Sequence, residues 1–250
     1  MVKIYVLARE FLESRGSYAG FIEEFAKFAS ERGYRVIILC GQTKKSKKNF
    51  EKLPYAEVYR FSLPKFKMPL IGMNLDYLSL AFHVRNYFRK FPVMPKDIII
   101  ANGRSALGVL NKCYTLRVGQ PAFTFLRNMD IAKMHVSFLT RIARLIHFLF
   151  QYFLEMLCLR KASALLLASH ETGNLWLQYY GKKEIPFFIP FSGIKVSKLE
   201  KGEKSLILGK KILFISAGEE KIRKGVIYLE KILPEIFEKF REVKLIHVGE

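Results

Sequence analysis

Short apolar runs alternate with longer segments of helical periodicity along most of this chain. Five runs of five or six residues are almost wholly apolar, which is typical of strands buried on both faces of a sheet. They are KIYVLA (3–8), RVIILC (35–40), DIIIA (97–101), AFTFL (122–126) and ALLLAS (164–169). Strand, helix and strand in succession predict an α/β fold built on a parallel sheet with right-handed crossovers.

The segments between these runs carry apolar residues at helical spacing. In the first segment they recur on one helical face from Phe21 to Ala29, and Gly33 follows as a C-terminal cap would. Further helices are predicted over 74–91, 104–117, 131–161 and 170–180. Ligands of parallel sheets bind at the carboxyl ends of the strands, so the loops at those ends are the first candidates for a site.

The pattern changes after residue 195. Residues 196–210 form a charged linker with two glycines, which predicts a first domain over 1–195. A strand (KILFIS), a helix over 225–240 and another strand (VKLIHV) then begin a second βαβ series over 211–250. One such unit cannot bury both of its faces, so we expect a second domain that is only begun, in a chain that is truncated.

Composition narrows the class of partner. The chain has 250 residues, half of them hydrophobic, and a net charge of +20, which favours nucleic acid, phosphorylated small molecules or an acidic membrane as partner, unless the charge serves mainly solubility. Three widely spaced cysteines suit a reducing cytoplasm, and the opening MVKIYVLARE reads as a strand rather than a signal peptide. Abundant Lys, Glu and Ile with few Gln resemble the usage of heat-adapted proteins.

The loop ESRGSYAG (13–20), after the first strand, is one candidate site. Gly16 and Ser17 precede the first helix, where backbone amides can face an anion. The loop matches neither the dinucleotide pattern nor the P-loop. A tight turn with a serine cap explains it equally well.

Two further stretches offer cations. Arg127, in FLRNMD, follows an inner apolar run and can hold a phosphate or carboxylate, or else pair with Asp130 or face solvent. In GEEKIRKG, Arg223 and Lys224 precede a predicted helix whose amino end repels cations unless an anion is bound there. Gly225 allows close backbone approach; the alternative is a solvated basic run beside two glutamates.

The segment 131–161 is apolar almost all round. Its stretch between Arg144 and Arg160 includes His147, Gln151 and Glu155. A helix that spans a bilayer needs about 20 mostly apolar residues, so this stretch is too short and too polar to cross one. It either lies in a membrane interface with its basic residues on anionic lipid, or is a buried helix between the sheet and the second domain.

Several chemistries lack their signatures. The chain has three aspartates, none two residues apart, so the Asp-x-Asp that carries a metal in one class of sugar transferases is missing and no metal site is predicted. No Gly-x-Ser-x-Gly elbow occurs. RNA-recognition signatures are also missing, so nucleic acid is disfavoured.

The last forty residues resemble the start of the second domain of GT-B glycosyltransferases, family 4 in particular. Lys224-Gly225 stands at the family's Lys-Gly, and Val248-Gly249 at its Val-Gly. Upstream, the segment ASALLLASHETGNLWLQYYGKKEIPFFIPFSGI is similar to a second family segment, and the stretch from Gly16 to Val36 resembles its glycine loop and first helix. The residues in register upstream are Ser169, Glu171, Gly181, Pro190 and Gly193.

This resemblance implies two Rossmann-like domains, each a parallel sheet with helices on both faces, and a nucleotide-diphosphate sugar as donor. The acceptor hydroxyl would belong to a glycan, a lipid or a small molecule, with retention of configuration and no metal or other cofactor. Lys224, assisted by Arg223, would stabilise the leaving diphosphate, with Gly225 and Gly249 beside the donor. Gly16 and Ser17 would offer amides, and Arg127 would line the cleft as the candidate catalytic residue.

The departures from the family pattern keep a second interpretation open. Glu219 stands where the family has a diphosphate-binding arginine, Gly16-Ser17 replaces Gly-Gly, and Arg127 replaces a histidine. The family's Glu-x7-Glu would lie beyond residue 250, so we expect this chain alone to be inactive. The alternative is a non-catalytic, basic Rossmann-like module that docks on membrane or nucleic acid. Either protein would be cytoplasmic, or peripheral on the cytoplasmic membrane face.

Overall fold

The computed structural model describes most of the first 189 residues and three segments near the end of the chain. The described ranges are 1–11, 17–42, 48–64, 72–119, 122, 138–181, 185–189, 211–215, 226–240 and 244–248. Contacts divide the chain into two units, Met1–Ser192 and Gly193–Glu250. Each unit is described by itself.

The first unit is an α/β sandwich around an eight-stranded sheet. Its strands, in the order β3-β4-β2-β1-β5-β6-β7-β8, pair in parallel except for the antiparallel edge pair β3–β4. The strands are β1 Lys3–Ala8, β2 Arg35–Gly41, β3 Phe50–Lys52, β4 Glu57–Phe61, β5 Ile98–Asn102, β6 Thr115–Val118, β7 Ala164–Leu167 and β8 Phe187–Phe188. The helices are α1 Ser17–Glu31, α2 Gly72–Lys90, a 3₁₀ helix Gly103–Val109, α3 Phe138–Lys161 and α4 His170–Tyr180.

The two faces of the sheet carry separate apolar cores. Alternate residues of β1 and β2 point to opposite faces, so both faces of these strands are buried. Helix α1 covers one face through Ile22, Ala26 and Ala29. Helices α2, α3 and α4 and the 3₁₀ helix cover the other face. Helices on both faces are what a parallel sheet requires to remove its apolar strands from water.

Most of the elements expected from the apolar pattern are confirmed. The strands at 3–8, 35–40, 97–101 and 164–169 and the helices at 74–91 and 170–180 agree with the structure within two residues at each end. Helix α4 is capped by Ser169, whose hydroxyl accepts from Thr172 N at 3.1 Å, and ends at Gly181 with φ +64°. Within 131–161, helix α3 occupies 138–161, and the earlier residues lie outside the described ranges.

The predicted helix over 104–117 is wrong. A 3₁₀ helix ends at Val109, and Thr115–Val118 form β6 in the middle of the sheet. Only Leu116 and Val118 of β6 are buried, so its apolar signal is half that of a strand buried on both faces. Strand β4 escapes prediction for the same reason, and β3 and β8 escape it because they are two or three residues long and have no buried side chain. The run AFTFL lies outside the described residues except Ala122, which is helical.

The second unit contains the expected strand, helix and strand. They are β9 Lys211–Ile215, α5 Val226–Lys239 and β10 Lys244–Val248. The two strands pair in parallel, from Lys211 opposite Lys244 to Ile215 opposite Val248. A parallel pair joined by a helix is the unit from which a Rossmann-like domain is built. The predicted linker 196–210 lies outside the described residues.

Two glycine substitutions test the packing of the 3₁₀ helix on α2. A methyl group at Gly108 would lie 2.7 Å from Val84 Cβ, so Gly108→Ala is expected to lower the free energy of unfolding by about 1–3 kcal/mol. The matched control is Gly20→Ala, in α1, where a methyl group meets nothing within 4 Å.

Gly20→Ala is expected to raise the free energy of unfolding by about 0.5–1 kcal/mol, because alanine loses less backbone entropy in a helix. Urea unfolding of both variants, followed by fluorescence of Trp176, the single tryptophan of the chain, measures the two effects. Equal effects of the two substitutions would contradict the close packing at Gly108.

Candidate functional site

The strand order reverses between β1 and β5. From β1 the chain moves to β2 and β4 on one side, and then crosses back to β5, β6, β7 and β8 on the other. The loops that leave β1 and β5 therefore diverge toward opposite faces of the sheet. Such a switch point opens a crevice at the carboxyl ends of the strands, where α/β proteins bind ligands.

On the β1 side, Arg9 fixes the start of the loop. Its carbonyl oxygen accepts from Gly41 N at 2.9 Å, and a methyl group at Gly41 would lie 2.8 Å from that oxygen, so only glycine fits there. The Arg9 guanidinium bonds Asp76 of α2 at 3.2 Å and lies 3.5 Å from Glu10. The end of β1 is thus tied to both β2 and α2.

On the β5 side, a guanidinium approaches the start of α1. Asn102 ends β5, and Gly103 turns the chain with φ +53°. The Asn102 side-chain oxygen accepts from Arg117 of β6 at 3.3 Å, and the Arg117 guanidinium lies 4.1 Å from the centre of the Phe21 ring. Phe21 stands four residues after Ser17, the first residue of α1, so Arg117 lies within about one turn of the amino end of that helix.

Behind the edge, a buried arginine joins three helices. Arg104, only 8% exposed, donates to Asn74 of α2 and lies over the Tyr77 ring at 4.4 Å. Asn74 Nδ2 is 3.2 Å from His147 Nδ1 of α3. A buried guanidinium is costly without partners, so these contacts fix how α2, α3 and the 3₁₀ helix pack behind the edge.

A second buried group anchors the residues that follow β6. The Glu155 carboxylate of α3 accepts from Ala122 N at 2.9 Å, Gln151 Nε2 at 2.7 Å and the Tyr180 hydroxyl at 2.5 Å. Trp176 Nε1 donates to the carbonyl oxygen of Gly119 at 2.7 Å. Helices α3 and α4 therefore hold Gly119 and Ala122, the described residues that follow β6.

Burial raises the pKa of Glu155 above its ordinary value of 4.5, and the three hydrogen bonds, which favour the charged form, oppose that rise. Burial, together with the nearby Glu155, also raises the pKa of the Tyr180 hydroxyl. The phenol therefore stays protonated and remains a donor to the carboxylate. The cluster is a structural anchor, since its hydrogen bonds join α3 to α4 and to Ala122.

The residues proposed from the sequence are mostly outside what the structure describes. Ser17 is the first residue of α1 rather than a residue before it, and its role in binding stays a prediction. The others lie outside the described residues, and they are Gly16, Arg127, Arg223, Lys224, Gly225 and Gly249.

The structure adds Asn102 and Arg117 at the edge, and Arg104 behind it. The predicted helix over 104–117 hides Arg104 and Arg117, and the predicted strand 97–101 stops one residue before Asn102. The dipeptide Asn102-Gly103 after a strand was the available signal, since such a pair marks a turn.

The described residues offer little for other chemistries. Among them, no group of three or more His, Cys, Asp or Glu side chains is placed to hold a metal ion. A shallow depression beside Tyr34 and Tyr55 lies at the amino end of β2, the edge opposite the switch point. The carboxyl edge at β1 and β5 is therefore the candidate site.

Comparisons with known proteins identify the fold. No family model and no curated protein sequence matches the chain. Sucrose-phosphate synthase from Thermosynechococcus elongatus matches 99% of this chain and 70% of its own, with a TM-score of 0.59 and 10% identity. Trehalose-6-phosphate synthase from E. coli, bound with UDP-2-fluoro glucose, matches 99% of this chain and 64% of its own, with a TM-score of 0.59 and 10% identity. A Listeria monocytogenes structure assigned as a UDP-N-acetylglucosamine 2-epimerase matches 98% of this chain and 62% of its own, with a TM-score of 0.55 and 10% identity.

Identities near 10% establish the fold alone. The chain has the Rossmann-like α/β fold of the GT-B glycosyltransferases. It spans between 62% and 70% of the length of these three proteins. Because synthases and an epimerase share this fold, the reaction must be argued from the site.

Glu155→Gln tests the buried anchor through the pH dependence of stability. The folded chain binds the Glu155 proton more tightly than the unfolded chain does, so this stabilisation is complete below about pH 4.5 and is lost as pH rises through the raised pKa. Over that window, the free energy of unfolding of the wild type should fall relative to that of Glu155→Gln, in urea titrations followed by Trp176 fluorescence.

The control is Glu31→Gln, at the exposed end of α1, which should keep the pH profile of the wild type. If Glu155→Gln and the wild type show the same profile, Glu155 is not held in a protonation-sensitive, buried state.

Proposed function

We propose that the whole protein is a glycosyltransferase that moves a sugar from a nucleotide-diphosphate sugar to an acceptor hydroxyl. The observation that carries this proposal is the carboxyl edge at the switch point, where Arg117 lies beside the amino end of α1 in a GT-B fold. A helix amino end and a guanidinium both favour an anion at the same place. A diphosphate donor supplies that anion.

The proposed reaction needs charge stabilisation on the leaving diphosphate. Lys224, assisted by Arg223, would supply it from the second unit, where Gly225 and Gly249 would let backbone approach the donor. Backbone amides at Gly16 and Ser17 would face the donor and acceptor, and Arg127 would line the cleft near the reacting sugar. We further propose, from the resemblance of the sequence, that the enzyme belongs to family 4, retains the anomeric configuration and needs no metal.

The arrangement behind the edge supports a positioning role for α3 and α4. Glu155 and Trp176 hold Ala122 and Gly119, which precede Arg127 in the chain. A reacting group at Arg127 would depend on this anchor for its position, because small displacements in an active site are costly to the rate. The acceptor would be a glycan, a lipid or a small molecule, and the protein would be cytoplasmic or peripheral on the cytoplasmic membrane face.

Calorimetric titration of the full-length protein with a panel of UDP-, GDP-, ADP- and CDP-sugars tests the donor class. Lys224→Ala is expected to weaken binding of the best donor about tenfold or more, because it removes a charge-assisted hydrogen bond to phosphate. Lys231→Ala is the matched control, since Lys231 is exposed on the helix that follows the proposed phosphate loop. Its affinity should equal that of the wild type.

Product analysis separates the alternatives. A transferase gives a glycosylated acceptor and free nucleoside diphosphate, whereas an epimerase changes the sugar without an acceptor. The absence of binding to every donor would favour the non-catalytic basic module instead, for which Glu219, in place of a phosphate-binding arginine, is the sequence argument. Unchanged donor affinity in Lys224→Ala would remove that lysine from the site.

A further inference from the structure

The outer surface of helix α3 is apolar and exposed. Along it, large aliphatic and aromatic side chains repeat every three or four residues, each between 40% and 51% exposed. They are Ile142, Leu145, Ile146, Leu149 and Phe153. The opposite face of the same helix is buried in the sheet core through Leu154, Cys158 and Leu159. A soluble surface helix would normally be polar where α3 is apolar.

The amino-terminal part of α3 extends past its neighbour. Asn74, the third residue of α2, contacts His147, the tenth residue of α3. Both helices return from the carboxyl edge of the sheet to its amino edge, so they run in the same direction. Helix α3 therefore begins about seven residues, or roughly 10 Å, beyond the start of α2, on the side of the candidate site. In this extension, no residue from Ile142 to Ile146 is buried.

Helix α2 continues the same apolar surface. Leu78 and Phe82 are 39% and 62% exposed and follow Asn74 by four and eight residues, so they lie on the flank of α2 that faces α3. The other flank carries His83, whose ring stacks on Phe61 of β4. By their distance from Asn74, Leu78 and Phe82 are level with the part of α3 around Phe153.

A band of cations follows the apolar surface along both helices. Arg85 and Arg89 of α2 are exposed and follow Asn74 by about three and four helical turns. On α3, Arg160 and Lys161 are exposed and follow His147 by nearly four turns, which places them level with the α2 arginines. The surface is thus divided into an apolar region near the carboxyl edge and a cationic region near the amino edge.

We propose that this two-helix surface docks the protein on the surface of an anionic phospholipid bilayer. The apolar region would enter the boundary between headgroups and acyl chains, and the cationic region would contact the headgroups. Charge complementarity selects this occupant: the surface carries cations at its border, and the whole chain has a net charge of +20. A protein partner for so basic a surface would have to be strongly acidic.

The helix docks on the membrane and does not cross it. The sequence-based expectation that this stretch is too short and too polar to cross a bilayer is wrong, because Ile142–Lys161, with a mean hydropathy of 1.5, is long and apolar enough by length and composition alone. Its inner face, however, packs on the sheet, and Glu155 is hydrogen-bonded to Ala122 and Tyr180. Lipid cannot surround a helix that is held in this way, so only the outer face is available to the membrane.

This inference goes beyond the proposed transfer reaction and does not depend on it. Co-sedimentation of the chain with phosphatidylcholine vesicles that contain phosphatidylglycerol measures docking without any sugar donor. The chain should pellet with these vesicles at low salt, less so at high salt, and poorly with phosphatidylcholine alone. A chain that stays in the supernatant with anionic vesicles at low salt overturns the proposal.

The apolar part is tested by a pair of matched substitutions. Phe153→Gln, at 49% exposure on α3, is expected to weaken binding about tenfold, because an aromatic side chain no longer leaves water on docking. Phe28→Gln is the control, at 52% exposure on α1, which covers the opposite face of the sheet. Equal affinities in the two variants would mean that α3 is not the docking surface.

The cationic part is tested in the same way. Arg85→Gln with Arg89→Gln should weaken binding to anionic vesicles by a factor on the order of 5 for each cation removed. The control removes the same charge with Arg32→Gln and Lys52→Gln, both exposed and outside the α2–α3 surface. If the control pair weakens binding as much, the net charge and not this surface is responsible.

Light scattering distinguishes a second copy from lipid as the occupant. A dimer that forms without vesicles and dissociates in Phe153→Gln would show that the surface joins two chains, and would overturn the proposal. Circular dichroism confirms that each variant is folded. Nucleotide-sugar binding that persists in Phe153→Gln would leave the proposed function standing, so the two proposals can fail separately.

Discussion

The parallel pairing of β1 between β2 and β5 is the constraint on which the rest of the structure depends. It sets Lys3 opposite Arg35 on one side and Ile4 opposite Ile98 on the other, and it forces the connections to opposite faces of the sheet. Helix α1 covers one face, and α2, α3 and α4 cover the other. The two sets of connections separate at the carboxyl edge of β1 and β5, where a ligand can enter.

Buried polar groups hold that edge in position at a cost in stability. Arg104 and Glu155 are both nearly inaccessible, and each would be strongly unfavourable without partners. Their contacts connect α2, α3, α4 and Ala122. Helix α3 is therefore bound on its inner face by polar contacts as well as by core packing. The inner face of α3 therefore belongs to the rigid scaffold. The outer face is apolar and exposed, and it is the surface that we propose to contact the membrane.

The sequence predicts the parts of this fold whose signals are local and strong. Strands β1, β2, β5 and β7 are apolar runs, and α4 has both a serine cap and a terminal glycine, so their positions follow from spacing. The position of β6 does not follow from spacing, because its Arg117 is accommodated by contacts with Asn102 and Phe21, which are distant in the chain. The site is only partly predictable because it combines local and distant residues. The sequence near Ser17 indicates the start of a helix, but Arg117 comes from a strand that is distant in the chain. The contacts of Glu155 with Ala122 and Tyr180 likewise depend on tertiary packing, which periodicity does not show.

Arg117 gives the most direct test that the switch-point edge binds an anionic donor. Its guanidinium stacks on Phe21 near the amino end of α1, and Arg32 makes the same kind of contact with Phe28 at the other end of that helix, at 3.4 Å. Calorimetric titration with the best nucleotide sugar therefore compares Arg117→Gln with Arg32→Gln. We predict an affinity about tenfold lower in Arg117→Gln and wild-type affinity in Arg32→Gln. Wild-type affinity in both variants would contradict donor binding at this edge.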